Sequence, residues 1–188
     1  MAEVKSTIEI ALEKAKTMEI SPDDRRRFKH EEMMSRARHI FQDHMNNAHR
    51  SDILRQALKE SREDAPFLRQ CLTEVLAGAL DPGQSSQRIW EGFCELGLSD
   101  TGPFEKTLNR IAENEARSRR ETARLIKNRV RRSLAEIGIS GTAVDIHVEA
   151  SDQWKTSLRE RDKKRRVELD AIRTKIAEAI EKRSSSPQ

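Results

Sequence analysis

The fold is decided by residues 102–138, GPFEKTLNRIAENEARSRRETARLIKNRVRRSLAEIG. Apolar side chains recur there at intervals of three and four, which is the period of an amphipathic α-helix. Pro103 suits the first turn of a helix and Gly138 suits its end. A helix of about 35 residues would span roughly 50 Å at 1.5 Å per residue. The apolar positions are Phe104, Leu108, Ile111, Ala112, Ala116, Ala123, Ile126, Val130, Leu134 and Ile137.

A second long helix is predicted from Ser151 or Asp152 to about Lys182. The connection between the two helices is short, so we expect them to fold back antiparallel as a coiled-coil-like hairpin over residues 101–183. The apolar stripe of the second helix consists of Trp154, Leu158, Leu169, Ile172, Ile176 and Ile180.

The two stripes do not match along their whole length. Residues 159–166 contain no apolar side chain, and in an antiparallel hairpin we expect them to lie near Ile126 and Val130. Either these faces turn toward another chain or the hairpin is splayed at this level. Because Ile126, Val130 and Leu134 would otherwise lie partly exposed, the pattern favours self-association, with a dimer as the favoured form.

The bend of the hairpin holds the only strand candidate. Val144, Ile146 and Val148 alternate with polar residues, which is strand periodicity. A lone strand leaves backbone groups unpaired. The segment is therefore expected to lie extended against the helices, to pair as a strand across a dimer or to bind a partner. The predicted fold class is all-α with at most one short strand.

The helical periodicity of residues 1–100 predicts a helical N-terminal bundle. Ser21 followed by Pro22 is a strong signal for a helix start. Residues 64–98 are the most apolar part of the chain, so we expect the core there. The tail, residues 184–188, is polar and is expected to be disordered. Helical periodicity recurs at about residues 6–18, 22–47, 54–58, 64–76 and 89–96.

Composition limits the class of protein. Hydrophobic residues make up 35% of the 188 residues and charged residues 36%, so the chain suits narrow apolar stripes along helices more than a wide core. No stretch is long and apolar enough for a membrane span. The N-terminus lacks the pattern of a secretory signal, which favours the cytoplasm. Cys71 and Cys94 have apolar neighbours and are expected to be buried and reduced.

The residues that catalysis or metal binding needs do not form a recognisable pattern. His39, His44 and His49 are spaced by five, which on a helix does not place them on one face. His30-Glu31 begins like a zincin motif, but Met34 stands where the second histidine is needed. Nucleophile-elbow and phosphate-loop motifs are absent from the sequence. We therefore expect a non-enzymatic protein with no metal and no cofactor.

The basic residues are concentrated on the hairpin. Residues 117–166 hold fifteen Lys/Arg against seven Asp/Glu, whereas the whole chain has a net charge of only +4. The facing ends of the two helices are thus expected to form a basic tip. Fourteen of these fifteen residues are the candidates for binding an anionic partner: Arg117, Arg120, Arg124, Lys127, Arg129, Arg131, Arg132, Lys155, Arg159, Arg161, Lys163, Lys164, Arg165 and Arg166.

Several partners fit such a surface. Arginine predominates, and its guanidinium binds phosphate in a bidentate manner, so an RNA or DNA backbone is one candidate, including ribosomal RNA. Trp154 is the only aromatic residue nearby, which disfavours base stacking. An acidic protein and a second copy of this chain are the other candidates. The remaining alternative is that the arginines face only water. A membrane surface is disfavoured because no bulky apolar face accompanies the charges.

Two short segments carry a family resemblance: Lys5-Ser6-Thr7-Ile8-Glu9-Ile10-Ala11-Leu12-Glu13-Lys14 and Gly138-Ile139-Ser140-Gly141-Thr142-Ala143. They are similar to segments of a family of uncharacterised bacterial helical proteins, a domain of unknown function. The resemblance implies a bacterial, cytoplasmic protein, and it carries over no activity. The hairpin also resembles ribosome-recycling factor in plan, but that factor has a β-rich inserted domain where residues 20–100 here predict helix, so we reject that assignment.

The sequence therefore predicts a non-enzymatic interaction or adaptor protein that binds through its helical surfaces. The alternative is binding of the RNA or DNA phosphate backbone by the basic tip. Charge reversal at Arg129, Arg132, Arg161 and Arg165 is expected to remove nucleic-acid binding without unfolding the chain.

Overall fold

Six α-helices make up the fold in a computed structural model that describes residues 21–47, 52–139 and 145–184. Two short 3-10 turns, at residues 62–64 and 148–150, connect them. The described residues include no strand, so the all-α prediction is confirmed. The helices are α1 (Pro22–Asn46), α2 (Ile53–Glu60), α3 (Ala65–Gly78), α4 (Gln87–Leu96), α5 (Gly102–Glu136) and α6 (Asp152–Ser184).

The start of α1 follows the local sequence signals. The Ser21 side-chain oxygen accepts a hydrogen bond from the backbone N–H of Asp24 at 3.1 Å, which satisfies one of the first amides of the helix. Pro22 occupies the first helical position. The buried face of α1 is centred on Met33, Ala37 and His44. The predicted helix at residues 6–18 lies outside the described residues.

One hydrophobic core joins all six helices. The prediction of a core in residues 64–98 is confirmed, since that region supplies most of its buried side chains. The same cluster also includes Leu108 and Ile111 from α5 and four residues from the second half of α6. The hydrophobic core therefore runs across the boundary at residue 100, and both ends of the hairpin are rooted in it. The four residues of α6 are Leu169, Ile172, Ile176 and Ile180.

A close crossing in this core packs two leucine side chains against Gly92. A Cβ atom added at Gly92 would lie 2.9 Å from Leu76 Cδ2 and 3.2 Å from Leu54 Cδ1. Gly92→Val is expected to lower the free energy of unfolding by about 1–3 kcal/mol, because overpacking forces side chains off their rotamers. Urea denaturation measures the change. Gly78→Ala is the matched control, since open space surrounds Gly78, and we expect it to stabilise α3 by about 0.5–1 kcal/mol. A neutral Gly92→Val would contradict the tight crossing.

Arginines from distant positions satisfy the C-terminal carbonyl groups of three helices. Arg88 donates to the carbonyl oxygens of His44 and Asn47 at the end of α1. Arg173 donates to the carbonyl oxygen of Ala77 at 2.8 Å at the end of α3. Arg183 donates to the Gly97 carbonyl oxygen just after α4 at 3.1 Å. Positive charge at a helix C-terminus also interacts favourably with the helix dipole. These arginines therefore stabilise the fold.

A buried polar pair ties α1, α2 and α4 together. The His44 ring is fully buried, and its Nε2 lies 2.8 Å from the carbonyl oxygen of Arg88. Its Nδ1 lies 3.6 Å from Glu95 Oε1. Glu95 Oε2 accepts hydrogen bonds from the backbone N–H groups of Leu54 and Arg55. Glu95 thus caps α2 from a position about 40 residues later in the chain.

The two cysteines have different environments. Cys71 is buried as predicted, and burial raises the pKa of its thiol. Cys94 is exposed, so its predicted burial is wrong. The reason is the helical period, since Phe93 and Leu96 face the core and residue 94 is rotated about 100° from Phe93. Partial desolvation still raises the pKa of the Cys94 thiol.

The remainder of α5 and α6 forms a slender antiparallel arm. Between Ile111 and Leu169, the described residues with buried side chains are Ile126 and Val148. From Asn114 to the end of α5 the arm extends about 35 Å at 1.5 Å per residue. The hairpin prediction is therefore correct, and its interface is largely polar.

The register of the arm differs from the predicted one. The Arg165 guanidinium lies 3.8 Å from Glu115 Oε2, and the hydroxyls of Thr122 and Ser157 are 3.5 Å apart. Residues 159–166 therefore face the polar stretch around Glu115 and Ser118. Their expected position near Ile126 and Val130 is wrong because the polar contacts of Glu115 with Arg165 and of Thr122 with Ser157 set a different register.

The bend contains no strand among its described residues. Residues 145–147 are irregular, and Val148 begins the second 3-10 turn with its side chain buried. Ser151 follows this turn and donates from its hydroxyl to the Val148 carbonyl oxygen at 2.9 Å. Strand pairing is not seen in residues 145–147, and Val144 lies outside the described residues.

Candidate anionic-partner interface

The inner face of the arm is a seam between α5 and α6. Besides the contacts of Glu115 with Arg165 and of Thr122 with Ser157, Arg129 donates to the Gln153 side-chain oxygen at 2.8 Å. The three α5 residues are seven apart, so they lie on one helical stripe. This seam fixes which face of each helix points outward.

One row of candidate cations lies on the outer face of α5. Arg117, Arg124 and Arg131 each follow a seam residue by two positions, which rotates them by about 200° from the seam. Arg120 and Lys127 fill the intervals, so the row has spacings of three and four. All five are exposed, and none makes an ion pair with another described residue. We call these five residues the α5 ridge.

A second row lies on the outer face of α6. Lys155 and Arg159 follow the seam residues Gln153 and Ser157 by two positions, and Lys163 and Arg166 continue the row at spacings of four and three. All four are exposed. Lys155 lies 3.7 Å from Asp152, where both groups are in solvent and the pair contributes little. We call these four residues the α6 ridge.

Other predicted cations are occupied within the arm. Arg161 stacks over the Trp154 ring, with 5.0 Å between its guanidinium carbon and the ring centroid. Arg165 lies near both Glu115 and Asp162. Charge reversal at Arg161 or Arg165 would therefore disturb the seam itself. Three members of the predicted set remain. Arg129 is bound to Gln153, and Lys164 pairs with Glu168 at 3.9 Å. Arg132 is exposed.

The positive charge lies along the shaft of the arm and not at its end. Residues 133–154 contain no Lys or Arg. The described part of the bend carries Glu136, Asp145 and Glu149. The structure thus places the predicted basic residues on two outer edges, and it does not bring the two sets together at a tip.

The seam has a polar layer at mid-arm. Both terminal nitrogens of Arg161 are buried without a hydrogen-bond partner among the described residues, and its Nε donates to the Ser157 carbonyl oxygen at 3.1 Å. A pocket of about 100 Å³ opens beside it, lined by Ser118, Glu115 and Arg165. A buried polar layer is a known means of fixing the register of paired helices. These residues are therefore assigned to holding the hairpin together.

Exposed large apolar side chains lie at two places on the described part of the arm. On the shaft, Leu125 is 64% and Val167 is 70% exposed, and at the bend Ile137 is 70% and Ile139 is 46% exposed. Ile126 is buried in the seam, and Val130 and Leu134 are partly covered there. The apolar residues that suggested self-association are thus covered largely within one chain.

Other chemistry is limited in the described part of the chain. A groove of about 490 Å³ between α3 and α6 is lined by Arg69, Thr73, Glu74, Ala177 and Ile180 among others. In residues 21–47, 52–139 and 145–184, no group of three or more His, Cys, Asp or Glu residues is placed to hold a metal ion. None of the described helices combines the length and apolar character that crossing a bilayer requires.

Comparison with known proteins does not place this chain in a family. No protein-family model, curated protein or solved structure matches this chain. The resemblance to uncharacterised bacterial helical proteins therefore stays a prediction.

Proposed function

We propose that this is a non-enzymatic interaction protein that presents a rigid helical arm to a polyanionic partner, the phosphate backbone of RNA or DNA. The observation that supports the proposal is the α5 ridge. Five exposed cations follow one another over residues 117–131, a rise of about 21 Å. Glu121 is the only acidic residue in that range.

The character of the ridge favours nucleic acid over an acidic protein. Protein interfaces concentrate their binding energy in buried aromatic and apolar anchors surrounded by a polar rim. The α5 ridge has no such anchor, because its five members are all charged and Leu125 lies to one side of it. Binding through charge alone suits a partner with regularly spaced phosphates. An acidic helix could match the spacing of three and four, and this second partner class is distinguished by the experiment below.

The test is direct binding to a fluorescent 20-base-pair duplex, made once as DNA and once as RNA. The combined variant carries Gln at Arg117, Arg124 and Arg131 of the α5 ridge and at Arg159, Lys163 and Arg166 of the α6 ridge. We expect it to lose at least about a hundredfold in affinity at 0.1 M salt, since three phosphate contacts are removed from each ridge. Gln keeps helix propensity, so circular dichroism should be unchanged.

The control removes positive charge from the helical body. Arg25, Arg36 and Arg38 on α1 are exposed, and replacing all three by Gln changes the net charge without touching the arm. We expect duplex affinity within about threefold of the natural chain, because charges farther away than the Debye length of about 10 Å are screened. Failure of the natural chain to bind either duplex would sink the nucleic-acid proposal and leave an acidic protein as the partner class.

Self-association and a cytoplasmic location belong to the same proposal. Light scattering after size exclusion, with the 260/280 nm absorbance ratio recorded at low and high salt, tests both the dimer and bound nucleic acid. A high ratio that falls at high salt is expected for a nucleic-acid binder. A mass that stays dimeric at both salts would support self-association, and a monomeric mass would exclude it.

A further inference from the structure

The two ridges point in opposite directions. Arg117, Arg124 and Arg131 lie two positions after the seam residues of α5, and Lys155 and Arg159 lie two positions after the seam residues Gln153 and Ser157 of α6. Each is therefore about 200° from the partner helix. The α5 ridge and the α6 ridge occupy the two outer edges of the arm.

The separation of the ridges decides what one partner can reach. Packed helices have axes 8–10 Å apart and diameters of about 10–12 Å with side chains, so the outer edges are about 20 Å apart. The major groove of B-DNA is only about 12 Å wide. The arm is therefore too wide to enter the groove with both ridges against the same duplex. A duplex that lies against one ridge leaves the other ridge facing away from it.

The two ridges also act independently. At 0.1 M salt the Debye length is about 10 Å, which is half of their separation. Phosphates bound to one edge therefore neither attract the cations nor repel the phosphates at the other edge strongly. The seam between the ridges is closed by Glu115, Thr122 and Arg129 with their α6 partners, so the arm separates the two edges as a fixed spacer.

We propose that one arm bridges two nucleic-acid segments, with the α5 ridge on the backbone of one and the α6 ridge on the backbone of the other. This inference rests on the proposed function and adds that binding is bivalent. The body is compatible with it, because between Ile111 and Leu169 the arm packs mainly against itself and both edges stay accessible.

The test is co-capture of two duplexes. A biotinylated 30-base-pair DNA duplex is held on beads, and a fluorescent duplex of the same length is captured only if the protein holds both. Two matched variants each lose three charges: Arg117→Gln, Arg124→Gln and Arg131→Gln on the α5 ridge, or Arg159→Gln, Lys163→Gln and Arg166→Gln on the α6 ridge. The α1 variant with Gln at Arg25, Arg36 and Arg38 is the control.

Each single-ridge variant is expected to bind one duplex while its co-capture falls at least about tenfold. The α1 control should capture both duplexes as the natural chain does. Bridging is overturned if the natural chain binds a single duplex and captures no second one, in which case the proposed function still stands. It is also overturned if single-ridge variants keep full co-capture. No binding of even one duplex by the natural chain removes the proposed function as well.

Discussion

Glu95→Ala is expected to lower the free energy of unfolding by about 2–4 kcal/mol. Two losses contribute to this value. The carboxylate accepts from the first amides of α2, at Leu54 and Arg55, and loss of a helix cap costs about 1 kcal/mol. The Glu95 side chain is also buried next to the fully buried His44, whose Nδ1 lies 3.6 Å from Glu95 Oε1, and the cavity left by truncating a buried side chain costs about 1–3 kcal/mol more.

The measurement is urea denaturation followed by circular dichroism, with Glu95→Gln as the comparison. The Gln oxygen can still accept from the two α2 amides, and the Gln amide can donate to His44. We therefore expect Glu95→Gln to lose less than half of the free energy of unfolding that Glu95→Ala loses. Glu113→Ala, at an exposed site of α5, should change stability by less than about 0.5 kcal/mol. If Glu95→Ala resembled Glu113→Ala, the assignment of Glu95 as the cap of α2 would be wrong.

Duplex binding by the arm is expected to weaken about 500-fold between 50 and 200 mM salt. Five phosphate contacts on the α5 ridge release about 0.9 counterion each, which gives a slope of about −4.5 in a plot of log affinity against log salt. Fluorescence anisotropy at four or more salt concentrations measures this slope. A steep slope is the signature that binding depends on the ridge cations and not on the dispersed apolar residues Leu125 and Val167.

The combined ridge variant supplies the comparison for the slope. Arg120 and Lys127 remain on its α5 ridge, so we expect a slope of about −2 and a loss of about tenfold over the same salt range. The α1 variant at Arg25, Arg36 and Arg38 should keep the slope of the natural chain. An equally steep slope in the combined variant would falsify the assignment of the ridges as the contact surface.

Helix starts and ends were predictable because they depend on neighbours in sequence. Ser21 and Pro22 begin α1, and Gly97, with φ of 112°, ends α4 in the left-handed conformation. Both are set by backbone groups within a few residues. The long periodic stretches of α5 and α6 were predictable for the same reason, since their stripes recur every three or four residues.

Contacts between distant helices were not predictable from such patterns. Nothing around Glu95 signals that it caps α2, which lies 41 residues earlier at Leu54. Arg173 reaches a carbonyl oxygen 96 residues away, at Ala77. Such contacts depend on how two helices cross, and helix crossing is decided by the shapes of whole faces.

The candidate site shows the same division. The sequence alone placed fourteen cations on the two arm helices, but the polar seam decided their direction. Arg161 and Arg165 turn inward, whereas the α5 ridge and the α6 ridge turn outward on opposite edges. A signal was available in the spacing of Arg117, Arg120, Arg124, Lys127 and Arg131, whose intervals of three and four mark one helical face.

The sequence by itself determined an all-α chain, the limits of its helices and the amount of charge on the hairpin, because each of these follows from local periodicity and composition. Only the tertiary structure decided the register of α5 against α6, the root of the arm in the core and the separation of its two basic edges. The physical reason is that the register of a polar seam cannot be predicted from an apolar stripe, because the seam has none. Its register is set by contacts such as Glu115 with Arg165, which exist only once the helices lie side by side.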